Sequence, residues 1–181
     1  ELFGGYNRYF WGRDLWKRIS WMPSEMRVFV GKMLKGVPPQ GWDGIFARLG
    51  PLLPSKLRQR APGDKLHKLA EILGARQPEE MYQGLVSHWK DPEALVIGGH
   101  EPPTVLTDRS QWADVEDFSH RMMYLDTMTY LPDDILAKVD RASMGVSLES
   151  RVPLLDHRVV EFAWRLPLSM KIRNGQGKWI L

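Results

Sequence analysis

The densest set of residues able to do chemistry lies on the helix that Pro132 opens. At about 100° per residue, Asp134, Lys138, Arg141 and Gly145 share one face, and Ile135, Val139, Ala142 and Val146 share another. A carboxylate, an ammonium and a guanidinium in one stripe, ending at a glycine that leaves room, can wall an anion-binding cleft, because Lys and Arg bind phosphate and carboxylate. The same stripe also suits a solvated face. Asp133 and Asp134 complement a helix N-terminus, and Asp134–Lys138 is an i,i+4 pair in the favourable order. Further along, Gly175 and Gly177 make a turn that can deliver Lys178 to an anion. RNGQGKW is nevertheless not a phosphate-binding P-loop. Its spacing is short, no strand precedes it, and Trp179 stands where Ser or Thr should follow the lysine. By pattern alone Lys178 reads as a surface lysine. Glu149 and Arg151 sit in the turn-rich SLESRVPLLDH, need partners or solvent, and read as pins for that loop. Asp156 reads as a helix cap. The five histidines lack a spacing such as HExxH, and no GxSxG nucleophile motif is present.

The elements that must position these residues are helices. Apolar spacing predicts helices over 6–19 and 24–35, the latter with Pro23 as its first residue and Gly36 at its end. Pro38-Pro39 breaks the chain, and a short helix follows over 42–49, closed by Gly50-Pro51. Residues 50–63 read as a loop. Two amphipathic helices are predicted over 64–73 and 79–89, the second with Met81, Tyr82, Leu85 and Trp89 on its apolar stripe. Residues 91–105 form the longest irregular connection. The second half is more regular. A stripe of Val115, Phe118, Met122, Leu125 and Met128 predicts a helix over 115–130, and the Pro132 helix runs to about Val146. Asp156 then starts a helix through Leu166, with Val159, Val160, Phe162, Ala163 and Leu166 inward. Asn174-Gly175 marks a turn. No strand of convincing length is visible, so the expected fold is mainly α. The Met122-Met123 pair and Met128 read as core. The tryptophans read as packing anchors or as a contact surface.

Composition narrows the function classes. The chain has 181 residues, 43% hydrophobic and 26% charged, a folded-protein composition. It has no cysteine, which excludes disulfides, thiolate metal sites and a Cys nucleophile within this stretch. The net charge is +3, with acids and bases interleaved, so a nucleic-acid footprint is not expected. No apolar run is long enough to cross a membrane. Glu1 at one end and Trp179-Ile180-Leu181 at the other read as cut ends, so a longer protein is expected.

YLPDDILAKVDRASMGVSLESRVPLLDHRVVEFAWRLP, followed by GKWIL and preceded far upstream by ELFGGYNRY, resembles the synthetase domain of glutamine-dependent asparagine synthetases. The likeness is dense over residues 130–181 and short but correctly ordered over 1–9. Residues 20–110 match only in being helical and variable. The resemblance implies the helical C-terminal portion of a Rossmann-like ATP pyrophosphatase, of the adenine nucleotide alpha hydrolase type. It implies that ATP with Mg2+ adenylates the side-chain carboxylate of aspartate, and that ammonia, made from glutamine by an N-terminal glutaminase domain, then displaces AMP to give asparagine. Under this resemblance Lys178 matches the lysine placed near the reacting α-phosphate. Glu1 matches the acid that follows the magnesium-associated Asp, and Asp134, Lys138 and Arg141 lie on the helix that borders the substrate cleft. Some members carry Arg where Lys138 stands, so a point charge replaces a bidentate fork. The Gly-rich SGG-x-D-S loop and the glutaminase domain would precede Glu1, and residues 1–181 alone are expected to be inactive. A cytoplasmic enzyme is implied, and a homodimer is compatible with it. Related enzymes that close β-lactam rings or amidate sugars and peptides are the alternative within the family. A non-catalytic helical module that binds a protein partner is the alternative from another class.

Overall fold

The computed structural model describes residues 1–49, 62–87, 89 and 92–181. Residues 50–61 of the loop expected over 50–63, the Gly50-Pro51 stop, His88 and the start of the 91–105 connection lie outside the described residues, and Pro62 and Gly63, expected in that loop, open a helix instead. The chain divides into two compact units, Leu15–Lys90 and Glu1–Asp14 with Asp91–Leu181. The described residues are mainly helical, as the periodicity predicts.

In the first of these units, α2 (Ser24–Lys35) packs on α4 (Pro62–Gly74), and α3 (Pro39–Leu49) joins them. The close approach has a specific cause. A Cβ on Gly31 would stand 2.8 Å from the Ala70 carbonyl oxygen, so only glycine lets α2 lie this near α4. Asp43 accepts a hydrogen bond from the Gly63 amide at 2.9 Å and satisfies a donor at the start of α4. The Trp42 indole donates to the Leu34 carbonyl at 2.9 Å. Buried Arg27 stacks on Trp16 at 4.7 Å and donates to the Arg76 carbonyl at 3.3 Å. Pro38-Pro39 does not hold α3 back to residue 42. Pro39 opens that helix, where a missing N–H costs nothing. Pro23 precedes α2 as its cap instead of forming its first residue. The helix predicted over 79–89 is α5 (Pro78–Val86). Met81 and Tyr82 are buried as expected, but Leu85 is half-exposed and Trp89, beyond the helix, is 67% exposed.

In the other unit, residues 7–14 of α1 (Asn7–Ile19) pack with α6 (Phe118–Met128) around Tyr9, Met122, Met123 and Leu125, all buried. Asp117 caps α6 by accepting from the amides of Ser119 and His120. Val115 therefore precedes the helix, and Met128, at its last turn, is 47% exposed instead of core. A π-helical turn (Leu131–Leu136) leads into α7 (Ala137–Met144). The helix stops at Gly145, two residues before Ser147 takes a left-handed φ of 59°, and Val146 is 75% exposed. Asp156 caps α8 (His157–Arg165) as predicted, accepting from the Arg158 amide. Of the α8 residues expected inward, Ala163 is buried, but Phe162, about 100° round the helix from it, is 56% exposed. The short α9 (Leu168–Lys171) runs into a hairpin, β1 (Ile172–Arg173) and β2 (Gln176–Gly177), which the sequence reading did not foresee as strands. Its two-residue turn is Asn174-Gly175, with φ of 52° and 75°, the backbone that a tight hairpin turn of this length demands. The turn was legible; the two-residue strands were too short to show a period.

Candidate functional site

Lys178 follows the hairpin directly and lies against residues 3–5. Its amide donates to the Phe3 carbonyl at 2.9 Å, and its φ is 57°, a left-handed backbone that costs a non-glycine residue energy unless its surroundings fix it. Those surroundings are two glycine contacts. A Cβ on Gly177 would stand 2.0 Å from the Gly4 carbonyl oxygen, and one on Gly5 would stand 2.5 Å from Lys178 Cε. Two chain segments far apart in sequence thus meet backbone to backbone, and the Lys178 side chain runs over Gly5. The lysine is exposed, and its ammonium makes no hydrogen bond or ion pair among the described residues. The Trp179 amide donates to the Lys171 carbonyl at 3.1 Å and fixes the chain on the other side.

Residues 3–5 are in turn tied to α1 and α6. Asp126, fully buried, accepts from Arg8 Nε at 2.9 Å, Arg8 Nη2 at 2.7 Å and the Tyr9 hydroxyl at 2.5 Å, all on one oxygen. Ser119 adds a bond from its hydroxyl to the Tyr9 carbonyl at 2.8 Å. Burial, and after it the Asp126 charge, push the Tyr9 phenol above its ordinary range, so it donates at any physiological pH. The Arg8 guanidinium lies over the rings of Tyr6 at 4.5 Å and Tyr130 at 4.8 Å, whose centroids are 5.8 Å apart. Asp126 is fully buried and Arg8 only partly, so the about 3–5 kcal/mol lost on breaking a wholly buried pair is an upper bound for this one.

Glu1 belongs to this cluster. Burial, and after it the charge of the nearby Glu1 carboxylate, raise the Tyr6 phenol above its usual range. The other face of the carboxylate is different: Oε1 of Glu1 is buried and has no hydrogen-bond partner, the one such carboxylate oxygen among the described residues. An orphaned anionic oxygen calls for a cation or a donor. Among the described residues no three acids or histidines gather to hold a metal by themselves.

The predicted stripe on the Pro132 helix divides. Lys138 Nζ bridges Asp134 Oδ1 at 2.6 Å, and that hydrogen bond holds the Lys138 ammonium above its ordinary pKa. Arg141 is exposed and makes no hydrogen bond or ion pair among the described residues. The structure thus sets Glu1 near Tyr6 and Lys178 onto residues 3–5, pairs Asp134 with Lys138, and leaves Arg141 without a contact among the described residues. Glu149 and Arg151 pair with each other at 2.8 Å and both are exposed, so each has both a partner and solvent, and the tie they make stays within the loop.

Sequence reasoning missed Arg8, Tyr9 and Asp126. A signal existed: Asp126 falls four residues after Met122 and beside Leu125, on the buried side of α6, where a carboxylate requires a partner. It also missed Lys171, which is buried with its Nζ unpartnered, 4.8 Å over the Trp164 ring, and whose pKa burial lowers to about 8.

The asparagine synthase family model matches residues 1–181. The chain belongs to this family. A putative glutamine-hydrolysing asparagine synthetase from Mycobacterium tuberculosis strain H37Rv is 30% identical over all 181 residues, which make up 25% of that relative. Asparagine synthetase [glutamine-hydrolyzing] 1 of Bacillus subtilis strain 168 is 27% identical over the whole chain and is covered to 26%. A third relative, asparagine synthetase [glutamine-hydrolyzing] 3 of the same strain, is 42% identical over 65 residues, 36% of this chain and 11% of the relative. The chain spans about a quarter of the length of the full-length matches. No solved structure matches. Among the described residues no helix is long and apolar enough to cross a membrane.

Proposed function

We propose that residues 1–181 form the helical part of the synthetase domain of a glutamine-hydrolysing asparagine synthetase, the Rossmann-like ATP pyrophosphatase core and the glutaminase domain being contributed by other chain segments. The reaction is AMP-forming. A side-chain carboxylate oxygen of aspartate attacks the α-phosphorus of ATP, the bond to pyrophosphate breaks, and an acyl-adenylate results. Ammonia attacks the acyl carbon, loses a proton, and AMP leaves.

One observation supports this reading above the others. Lys178 is held in a left-handed backbone by Phe3 and by two glycine contacts, while its ammonium has no partner in the described chain. Strain of this kind persists where a side chain must be presented at a fixed place. A cation so presented neutralises charge that builds on a phosphoryl group in the transition state. Glu1 Oε1, buried and unpartnered, suits a hard cation that also binds phosphate oxygens, since Mg2+ is commonly held by one or two carboxylates plus substrate phosphates. Mg2+ bound there would neutralise the phosphates. In this reading the chain's own residues place the charges: Glu1, near Tyr6, faces the cation, and the Asp134–Lys138 pair, with Arg141 further along the same helix, supplies a border of the aspartate and ATP cleft. Asparagine formation in the cytoplasm, with glutamine or free ammonia as nitrogen source, completes the reading.

The test is made on the complete gene product that carries this chain. Lys178→Ala should lower AMP and pyrophosphate formation from aspartate and ATP by about 100-fold or more, with a modest change in KM for ATP. Lys178→Arg should keep charge but lose most activity, because the fork does not fit a point-charge position. Full turnover by Lys178→Ala would leave the chain as a helical binding module.

A further inference from the structure

We infer that Asp126 is a positioning residue for Lys178, acting through the first turn of α1 and residues 3–5. The inference rests on the proposed role of Lys178 and deepens it.

The chain of contacts is short and has no soft link. Asp126 gathers three donor bonds from two consecutive residues, Arg8 and Tyr9, onto a single oxygen. A helix bolted at two successive residues to a buried carboxylate cannot rotate about its axis without breaking a charge-assisted bond. Ser119, two turns back on the same face of α6, bonds the Tyr9 carbonyl and fixes the same turn along its axis. Between Gly5 and Arg8 stand only Tyr6 and Asn7, and Tyr6 is clamped against Arg8 and Tyr130. The direction and height of residues 3–5 therefore follow from the seat of Asp126.

Lys178 reads its own position from that segment. Its amide bonds Phe3, Gly177 abuts the Gly4 carbonyl, and its side-chain stem lies on Gly5. The contact at Gly177 is too tight for a Cβ, so a shift of a few tenths of an ångström at Gly4 must move Gly177 as well. A carboxylate that served only to fill α6's buried face would have no reason to take three donor bonds from the turn that carries this segment. The misplacement expected from loosening it is of the size that lowers a chemical step without abolishing binding.

The experiment uses the complete gene product with Asp126→Asn and, as the milder and nearly isosteric change, Tyr9→Phe. Two quantities are read: steady-state kcat and KM for ATP, and amide hydrogen exchange resolved at Lys178 and in α8. Asp126→Asn should lower kcat about 10- to 100-fold with KM for ATP changed less than about threefold, and should speed exchange at the Lys178 amide about tenfold while α8 is unmoved. Tyr9→Phe should move both readouts in the same direction by about two- to fivefold. Loss of kcat with no change at the Lys178 amide overturns the inference. So does exchange that quickens equally in α8, which would make Asp126 a residue of general stability. Lys178→Ala, measured alongside, separates the two claims. If it keeps turnover, the catalytic reading falls and this inference with it. If it abolishes turnover while both other variants leave kcat and exchange unchanged, only the positioning role is overturned.

Discussion

Lys178 and Lys138 are both exposed lysines of the same unit, and they are held in opposite ways. Lys178 has a backbone fixed by contacts with residues more than a hundred positions away, a left-handed φ of 57° and no side-chain partner. Lys138 has an ordinary helical backbone and a side chain tied to Asp134 four residues earlier. In the first case the fold spends its constraints on where the chain runs and leaves the charge free for a ligand. In the second, the charge is satisfied locally and the fold adds little. A cation meant for a transition state is better served by the first arrangement, because its position is set in advance and no existing ion pair must be broken.

The largest break in this comparison is expected from Gly177→Ala. Its Cβ would stand 2.0 Å from a backbone oxygen, which cannot swing aside as a side chain can. We expect turnover to fall as far as it does in Lys178→Ala, together with a loss of about 2–4 kcal/mol in urea unfolding. A fully active Gly177→Ala protein would mean that the junction does not place Lys178. Gly31→Ala is the matched control in the other unit. Its Cβ meets the Ala70 carbonyl at 2.8 Å, so α2 and α4 must separate, at a cost of about 1–3 kcal/mol. Its kcat at temperatures where the protein stays folded should be unchanged. If kcat drops as in Gly177→Ala, tight glycine contacts would matter to turnover only through stability.

The same contrast explains what could be read in advance. The helices, the Phe118, Met122 and Leu125 part of the stripe expected over 115–130, the Asp156 cap and the Asn174-Gly175 turn each depend on residues within a few positions, and each has a local pattern. The Asp134–Lys138 bridge is local too and formed as spaced. The junction of Gly4 and Gly5 with Gly177 is set by a meeting of distant segments, and no periodicity encodes it. Lys178 was legible only through resemblance, because by spacing it is one lysine after a turn. Phe162, Met128 and Val146 follow apolar spacing yet are exposed, which shows that spacing finds a face but not whether a partner covers it. Asp126 was visible as a carboxylate on a buried stripe, but its partners Arg8 and Tyr9 lie 117 and more positions away.

Lys171 offers a pH-dependent version of the comparison, a lysine held by burial alone. In the folded chain its pKa is lowered to about 8, against an ordinary value of 10.5, because burial penalises its charged form. Trp164 stacks on it, and the neighbouring His120, itself pushed below its usual value by burial and by Lys171, is neutral above pH 7. Below pH 8 both folded and unfolded states carry the proton and the burial penalty is fully present. Between about pH 8 and 10.5 the folded state releases the proton first. The unfolded state then binds more protons, and stability rises with pH. Lys171→Met removes the titration and keeps the bulk. The stability of the natural protein relative to this variant should therefore climb by about 1–3 kcal/mol from pH 7.5 to 10, measured by urea unfolding. A flat or falling difference would show that the ammonium finds solvent or a carboxylate in the folded protein.

The smallest effects are expected on the α7 stripe. Lys138→Met breaks an exposed i,i+4 bridge in high dielectric, where the attraction roughly equals the cost of ordering two flexible side chains. The urea midpoint should not move beyond measurement scatter, and Arg141→Gln, which breaks no contact among the described residues, should behave the same. Any change must then come through substrate. If the stripe borders the aspartate and ATP cleft, Lys138→Met should raise KM for one of these anions by about threefold, with kcat nearly kept. The rise should shrink at high salt, because the screening length falls from about 10 Å at 0.1 M to about 3 Å at 1 M. A large loss of kcat in Lys138→Met would reverse the ranking of the two lysines. The locally paired charge, despite its ion pair with Asp134, would then be the one that meets the transition state, and the constraint at Gly177 would serve the backbone alone.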